Sequence, residues 1–191
     1  MWAVLTAGIG VAMAGCGAEP VPPSASGGDA SASPRTAPSG PGAGLRYVAL
    51  GDSYTIGTAT GTTAERWPDQ LVAALADRTP TLELVANLGV NGFTSRDVIE
   101  VELPQLEGLE PGFATILIGV NDVVQGVPPE TYRANAAGIL DALLERLPSD
   151  RIVAVATPDY TVTPQGANYG DPRAQAAGIR AVNEILRGLA A

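Results

Sequence analysis

Histidine and lysine do not occur in the 191 residues, and cysteine occurs once. Imidazole is the usual general base near neutral pH and the commonest metal ligand. Whatever chemistry these residues perform therefore proceeds without one of their own. A lone thiol cannot assemble a ligand cluster, which argues against a zinc site, and the pattern calls for no other cofactor. All 11 basic residues are Arg, set against 20 Asp and Glu, and the net charge is −9. With no basic stripe to replace counterions on phosphates, nucleic acid is excluded as a partner. Large apolar residues are nearly absent from positions 17–44, where Ser, Pro, Gly and Ala dominate. Such a stretch cannot bury enough surface to offset its ordering entropy, so it reads as a disordered linker with a reach of about 30 Å.

Charge is absent from Trp2 to Ala14. As a helix those residues span roughly 20 Å, short of the ~30 Å hydrocarbon core, so a membrane-spanning anchor is disfavoured. The run closes on Met13-Ala14-Gly15-Cys16, which resembles a lipobox: small residues before a Cys that is acylated and becomes the mature terminus. Residues 1–16 are accordingly assigned to a lipoprotein signal peptide, with Cys16 as the lipidation site and the membrane as a partner through that anchor. The expected location is extracytoplasmic, on a bacterial cell envelope. An incidental Cys in an ordinary signal peptide, or a buried Cys in a core helix, are the alternatives. One feature departs from the pattern: Met1-Trp2-Ala3 lacks the Lys or Arg that opens signal peptides, which places the expected start upstream of Met1.

Residues 45–191 alternate strand and helix. Arg46 to Leu50 is a short apolar run ending in Gly51-Asp52, a buried strand. A helix is expected from Trp67, with Trp67, Leu71, Ala74 and Leu75 on one face and Pro68 in its first turn. Leu82 to Leu88 reads as a second strand. Thr94-Ser-Arg-Asp97 has capping-box form and opens a helix that Pro104 should end. Ala114 to Ile118 is a continuously apolar strand of the parallel-sheet type. Pro129 begins a longer helix, Ile152 to Ala156 makes a fourth strand, and Asp171-Pro172 caps a last helix. The order βαβαβαβα predicts an α/β fold: a flavodoxin-like three-layer α/β/α sandwich on a parallel sheet of order 2-1-3-4.

Polar or glycine-rich segments follow three of these strands: Gly51-Asp52-Ser53, the run from Asn87 through Gly92-Phe93-Thr94, and Gly119-Val120-Asn121-Asp122. Ligands in open α/β sheets bind beyond the carboxyl ends of the strands, and in this order the three segments converge. The three blocks, in this sequence and at these strand ends, resemble the SGNH/GDSL hydrolase family over roughly residues 46–189. The resemblance implies a serine hydrolase acting on a small-molecule or lipid ester through an acyl-enzyme. It implies Ser53 as nucleophile, with the oxyanion held by the backbone N–H of Ser53 and of Gly92 and by the Asn121 side chain. Asp52 is expected to bond local backbone rather than act as base. Tyr54 is expected either to line the acyl or alcohol pocket or only to shield the loop, and the polar loop from Pro158 to Gly170 to form one wall of the substrate site.

The family's last block, Asp-x-x-His after a fifth strand, has no counterpart in the 191 residues. Removing the base of a serine triad costs about a million-fold in turnover, and carboxylates of ordinary pKa are poor bases for a hydroxyl. Residues 45–191 are therefore read as an incomplete hydrolase domain whose fifth strand is missing through truncation, inactive as it stands. The alternative is a non-catalytic ester- or carbohydrate-binding pseudoenzyme. A flavodoxin-type binding module is a third class, disfavoured because the loop at Gly51 lacks the residues a flavin phosphate needs.

Overall fold

The computed structural model describes residues 44–190. The expected signal peptide at 1–16 with Cys16, and all of the 17–44 linker but Gly44, lie outside the described residues. In chain order the elements are β1 (Leu45–Gly51), α1 (Ser53–Ile56), α2 (Trp67–Ala74), β2 (Leu82–Asn87), α3 (Ser95–Asp97), α4 (Leu106–Leu109), β3 (Phe113–Leu117), α5 (Val120–Val124), α6 (Pro129–Leu144), β4 (Ile152–Ala154) and α7 (Pro172–Leu189). The strands form one sheet in the expected order β2-β1-β3-β4. Every pairing is parallel: Leu45 lies opposite Leu82, Tyr47 opposite Phe113 and Ala114 opposite Ile152.

The continuously apolar strands β1 and β3 occupy the centre, where both faces are covered. Val48, Leu50, Ala114 and Ile116 point to one side, where they pack with Val98 and Leu106, with Tyr132, Ile139 and Leu143 of α6, and with Val182 and Ile185 of α7. Strand alternation turns Tyr47 and Thr115 to the other side, where Tyr47 Oη and Thr115 Oγ1 lie 2.8 Å apart and both residues are fully buried. The edge strand β2 is only half-buried. Of the face expected on α2, Trp67, Leu71 and Leu75 are half-buried, whereas Ala74 is exposed.

Two expectations need correction. Pro104 does not end the helix begun at Thr94. The helical path runs on to Leu109 through a π-helical turn at Val98–Glu102 and a 3₁₀ turn at Leu103–Gln105. Within a regular α-helix Pro104 would clash with the carbonyl four residues back. Widening the turn just before it, so that Leu103 N–H reaches Val98 O, relieves that clash. The second correction concerns β4, which stops at Ala154 rather than Ala156. Among the described residues it pairs with β3 alone, and Val155 N–H bonds to Ile116 O at 2.8 Å just beyond its end.

Candidate active site

The turn after β1 is dictated by contact with β3. Gly51 has φ +143°, and a Cβ there would lie 2.1 Å from Leu117 O and 2.6 Å from Thr55 Oγ1. Only glycine lets the two strands approach so closely. Asp52 is fully buried and caps α1, its Oδ1 accepting from Tyr54 N–H at 3.0 Å. Ser53 is thereby fixed as the first residue of a one-turn helix that Gly57 closes in the left-handed conformation, φ 72°. The segment leaving β2 braces this turn from the side. Asn87 Nδ2 donates to Thr55 O at 2.7 Å, and a Cβ on Gly89 would meet Ile56 N at 2.7 Å. Sequence reading placed Asn87 and Gly89 in the segment after β2 but gave neither a role in bracing the Ser53 turn. The available signal was a Gly two residues past an Asn at a strand end.

The glycine and asparagine blocks are tied to each other. Gly92 has φ +81° and open space where a Cβ would sit, so its constraint is conformational. Asn121 Nδ2 donates to Phe93 O at 2.8 Å, and Gln125 Nε2 donates to Gly92 O at 3.1 Å. Asp122, next to Asn121, is buried and faces away from these contacts. Its carboxylate accepts from Ser95 N–H at 2.9 Å and from Ser95 Oγ at 2.5 Å, while Asn135 Nδ2 donates to the same hydroxyl at 3.0 Å. Burial raises the Asp122 pKa, and the Ser95 bonds oppose that rise. Asp122 therefore fastens α5 to the start of α3, and leaves Asn121 as the member of the pair that meets solvent space. Asp97 completes the helix start, its Oδ2 accepting from Thr94 N–H at 2.8 Å and Thr94 Oγ1 at 2.7 Å.

Above these turns opens a cleft of about 480 Å³, lined by Ser53, Asn121, Tyr54, Val120, Tyr160 and Tyr169 among others. None of its lining residues carries a formal charge at neutral pH. Gly92 is not among the lining residues; it is exposed, with Gln125 Nε2 tying it to α5 and Asn121 holding the adjacent Phe93. The loop after β4 forms the far wall. Its base is clamped by paired bonds, Thr157 N–H to Asn183 Oδ1 at 2.8 Å and Asn183 Nδ2 to Thr157 O at 2.9 Å. Tyr160 Oη donates to Gln175 Oε1 at 2.8 Å, and the Tyr160 and Tyr169 rings meet edge-on with centroids 5.5 Å apart. Both Tyr54 and this loop thus stand at the cleft. Among the described residues no group of three metal-ligating side chains occurs.

A parallel 2-1-3-4 sheet with helices, and with a serine and an asparagine at two adjacent strand exits opening on one cleft, is an α/β architecture consistent with the GDSL hydrolase fold. The model of the GDSL-like Lipase/Acylhydrolase family matches residues 49–191, and the chain belongs to that family of ester hydrolases. Solved structures agree on the fold. LAE5, an alpha/beta hydrolase enzyme from the metagenome of Lake Arreo, Spain, is 24% identical, over 78% of this chain and 73% of its own, with a TM-score of 0.59. TesA is 23% identical over 76% of this chain and 73% of its own, with a TM-score of 0.57. A point mutant of the esterase AlinE4 is 26% identical over 78% of this chain and 72% of its own, with a TM-score of 0.55. No curated protein matches the sequence.

Proposed function

We propose that Ser53 is the nucleophile of acyl transfer from an ester, and that Gly92 and Asn121 help hold the oxyanion. One observation carries the reading: Ser53 and Asn121, fixed by turns after two different strands, face the same largely apolar cleft. Ser53 Oγ would attack the carbonyl carbon. The negative charge on the carbonyl oxygen is met by the N–H groups of Ser53 and Gly92 and by the Asn121 carboxamide; the alkoxide then leaves and water later frees the acid. The Ser53 proton needs an acceptor, and none of the 191 residues is His. Asp52 cannot serve, because its carboxyl is fully buried beneath the turn. Residues 1–191 by themselves therefore turn over esters negligibly. The same lack of imidazole favours a second reading, a non-catalytic binder of esters or carbohydrates.

Supplying the base from solution separates the two. The chain is incubated with p-nitrophenyl acetate and imidazole, with Ser53→Ala as the background control, and acetyl adducts are mapped by mass spectrometry. The hydrolase reading expects acetyl on Ser53 at a rate well above the adduct formation on other hydroxyls. An unmodified Ser53, in protein that still binds a non-hydrolysable ester analogue in the cleft, rejects it and leaves the binder.

The proposal extends to location. Met13-Ala14-Gly15-Cys16 and the Ser/Pro/Gly/Ala stretch after it support a lipid-anchored domain held off a bacterial envelope membrane on a tether, facing ester substrates there. Expressed with its amino terminus in a bacterial host, the protein is expected to take up labelled palmitate and to lose the label in Cys16→Ser. An unlabelled wild type removes the anchor.

A further inference from the structure

Two buried carboxyl groups lie under the Ser53 turn, and the proposed reaction uses neither. Glu102, on the π-helical turn, and Asp52, at the exit of β1, are both fully buried. Glu102 Oε2 accepts from Gly51 N–H at 2.9 Å, and Asp52 Oδ1 accepts from Tyr54 N–H at 3.0 Å. Their second oxygens, Glu102 Oε1 and Asp52 Oδ2, are both sealed from solvent and both lack a hydrogen-bond donor. Two ionised carboxylates in this position would be doubly penalised, by desolvation and by mutual repulsion. The titratable groups that face the pair are Asp97 of α3, Asp122 of α5 and the Tyr132 phenol of α6. None brings a positive charge.

A single proton shared between the two orphaned oxygens would remove both deficits, because a protonated carboxyl becomes a donor while its neighbour remains an acceptor. We propose that Glu102 and Asp52 share one proton, Glu102 donating from Oε1 to Asp52 Oδ2, and that the pair positions Ser53 by holding the backbone on both sides of it. Gly51 N–H, two residues before Ser53, is held by one member; Tyr54 N–H, one residue after, is held by the other. Burial, the main cause, pushes Glu102 up to about 8 and Asp52 up to about 6, and the Asp52 charge adds to the rise at Glu102. Only one proton is needed, and Glu102 is the group that keeps it. Glu102 is a positioning residue in this scheme. The shared proton stands independently of the hydrolase reading, whereas its bearing on Ser53 rests on that reading.

The sign of the pH dependence follows from linkage. The folded protein keeps a proton on Glu102 that the unfolded chain gives up near 4.5. Stability from this group is therefore complete below that pH and declines as pH rises toward about 8. The test is a carboxyl-carbon NMR titration of the whole chain, with Gly51 and Tyr54 amide shifts and thermal midpoints followed alongside. Near pH 6 the Glu102 carboxyl is expected to resonate as the acid, and both amides are expected to move with it at one common midpoint. Glu102→Gln, whose amide can accept from Gly51 and donate to Asp52, should abolish the shared shift and flatten the fall in thermal midpoint. In imidazole-supported acetylation of Ser53, the rate of Glu102→Gln relative to wild type should rise above about pH 8. Both carboxyls ionised near pH 6, or separate midpoints for the two amides, would overturn the shared proton; the wild-type titration decides this even if the variant does not fold. An unchanged rate ratio across pH overturns the positioning role. Absence of Ser53 acetylation in every sample, with the titration as expected, strikes the hydrolase reading and not the proton.

Discussion

Gly51→Ala is expected to lower the thermal midpoint by about 5–20 °C. Two penalties combine there. The backbone sits at φ +143°, where an L side chain is strained, and the new methyl would lie 2.1 Å from Leu117 O. That atom is backbone of the paired strand β3, so it cannot rotate aside as a flexible side chain would. Strain of this kind costs about 1–3 kcal/mol and overpacking a further 1–3 kcal/mol. Their sum, about 2–6 kcal/mol, converts to the stated fall for a domain of this size. Moving β1 away from β3 would also stretch the Gly51 N–H bond to Glu102 and shift the turn that carries Ser53. Gly138→Ala is the control. Gly138 lies inside α6 with nothing within 4 Å of a Cβ, so alanine there should raise stability by up to about 1 kcal/mol. Circular dichroism melts of the two variants check the pair. A Gly51→Ala protein that melts with wild type would mean β1 and β3 do not approach as described.

The sheet was legible in the sequence because its information is local. Val48, Leu50, Ala114 and Ile116 stand in short apolar runs closed by glycine, and that pattern survives any tertiary arrangement. Ser53 and Asn121 could be placed together because strand order and strand ends suffice to bring them to one edge. The buried acids could not be read the same way. Asp122 looks like a polar turn residue until Ser95, 27 positions earlier, arrives to be held by it. Glu102 stood in plain view as a charged residue four positions from both Val98 and Leu106, each of them fully buried. A helical stripe that keeps a Glu in its apolar line is a signal that the acid has a buried partner. The π-helical turn was not read, since a Pro ordinarily ends a helix and nothing in the sequence says that the turn before Pro104 widens instead.

In the proposed reaction Asn121→Ala slows imidazole-supported acetylation of Ser53 by about 100–1000-fold, the cost of removing one preorganised oxyanion donor. The carboxamide nitrogen carries two hydrogens. One is committed to Phe93 O at 2.8 Å, which fixes the plane of the amide; the other is free to meet charge in the cleft that Asn121 shares with Ser53. A donor held this way needs no reorganisation as the tetrahedral oxygen forms, so its loss falls on the transition state rather than on ground-state binding. The variant should therefore bind a neutral ester analogue about as well as wild type, and lose about 1 kcal/mol of stability with the Phe93 bond. Asn121→Asp should fare no better in spite of matching shape, because it sets a negative charge where the reaction develops another. A loss smaller than threefold on Asn121→Ala, in protein whose Ser53 still takes up acetyl, would show that the oxyanion is held elsewhere. Loss of analogue affinity in step with rate would instead mark Asn121 as a ground-state contact, the behaviour a binding cleft without catalysis would show.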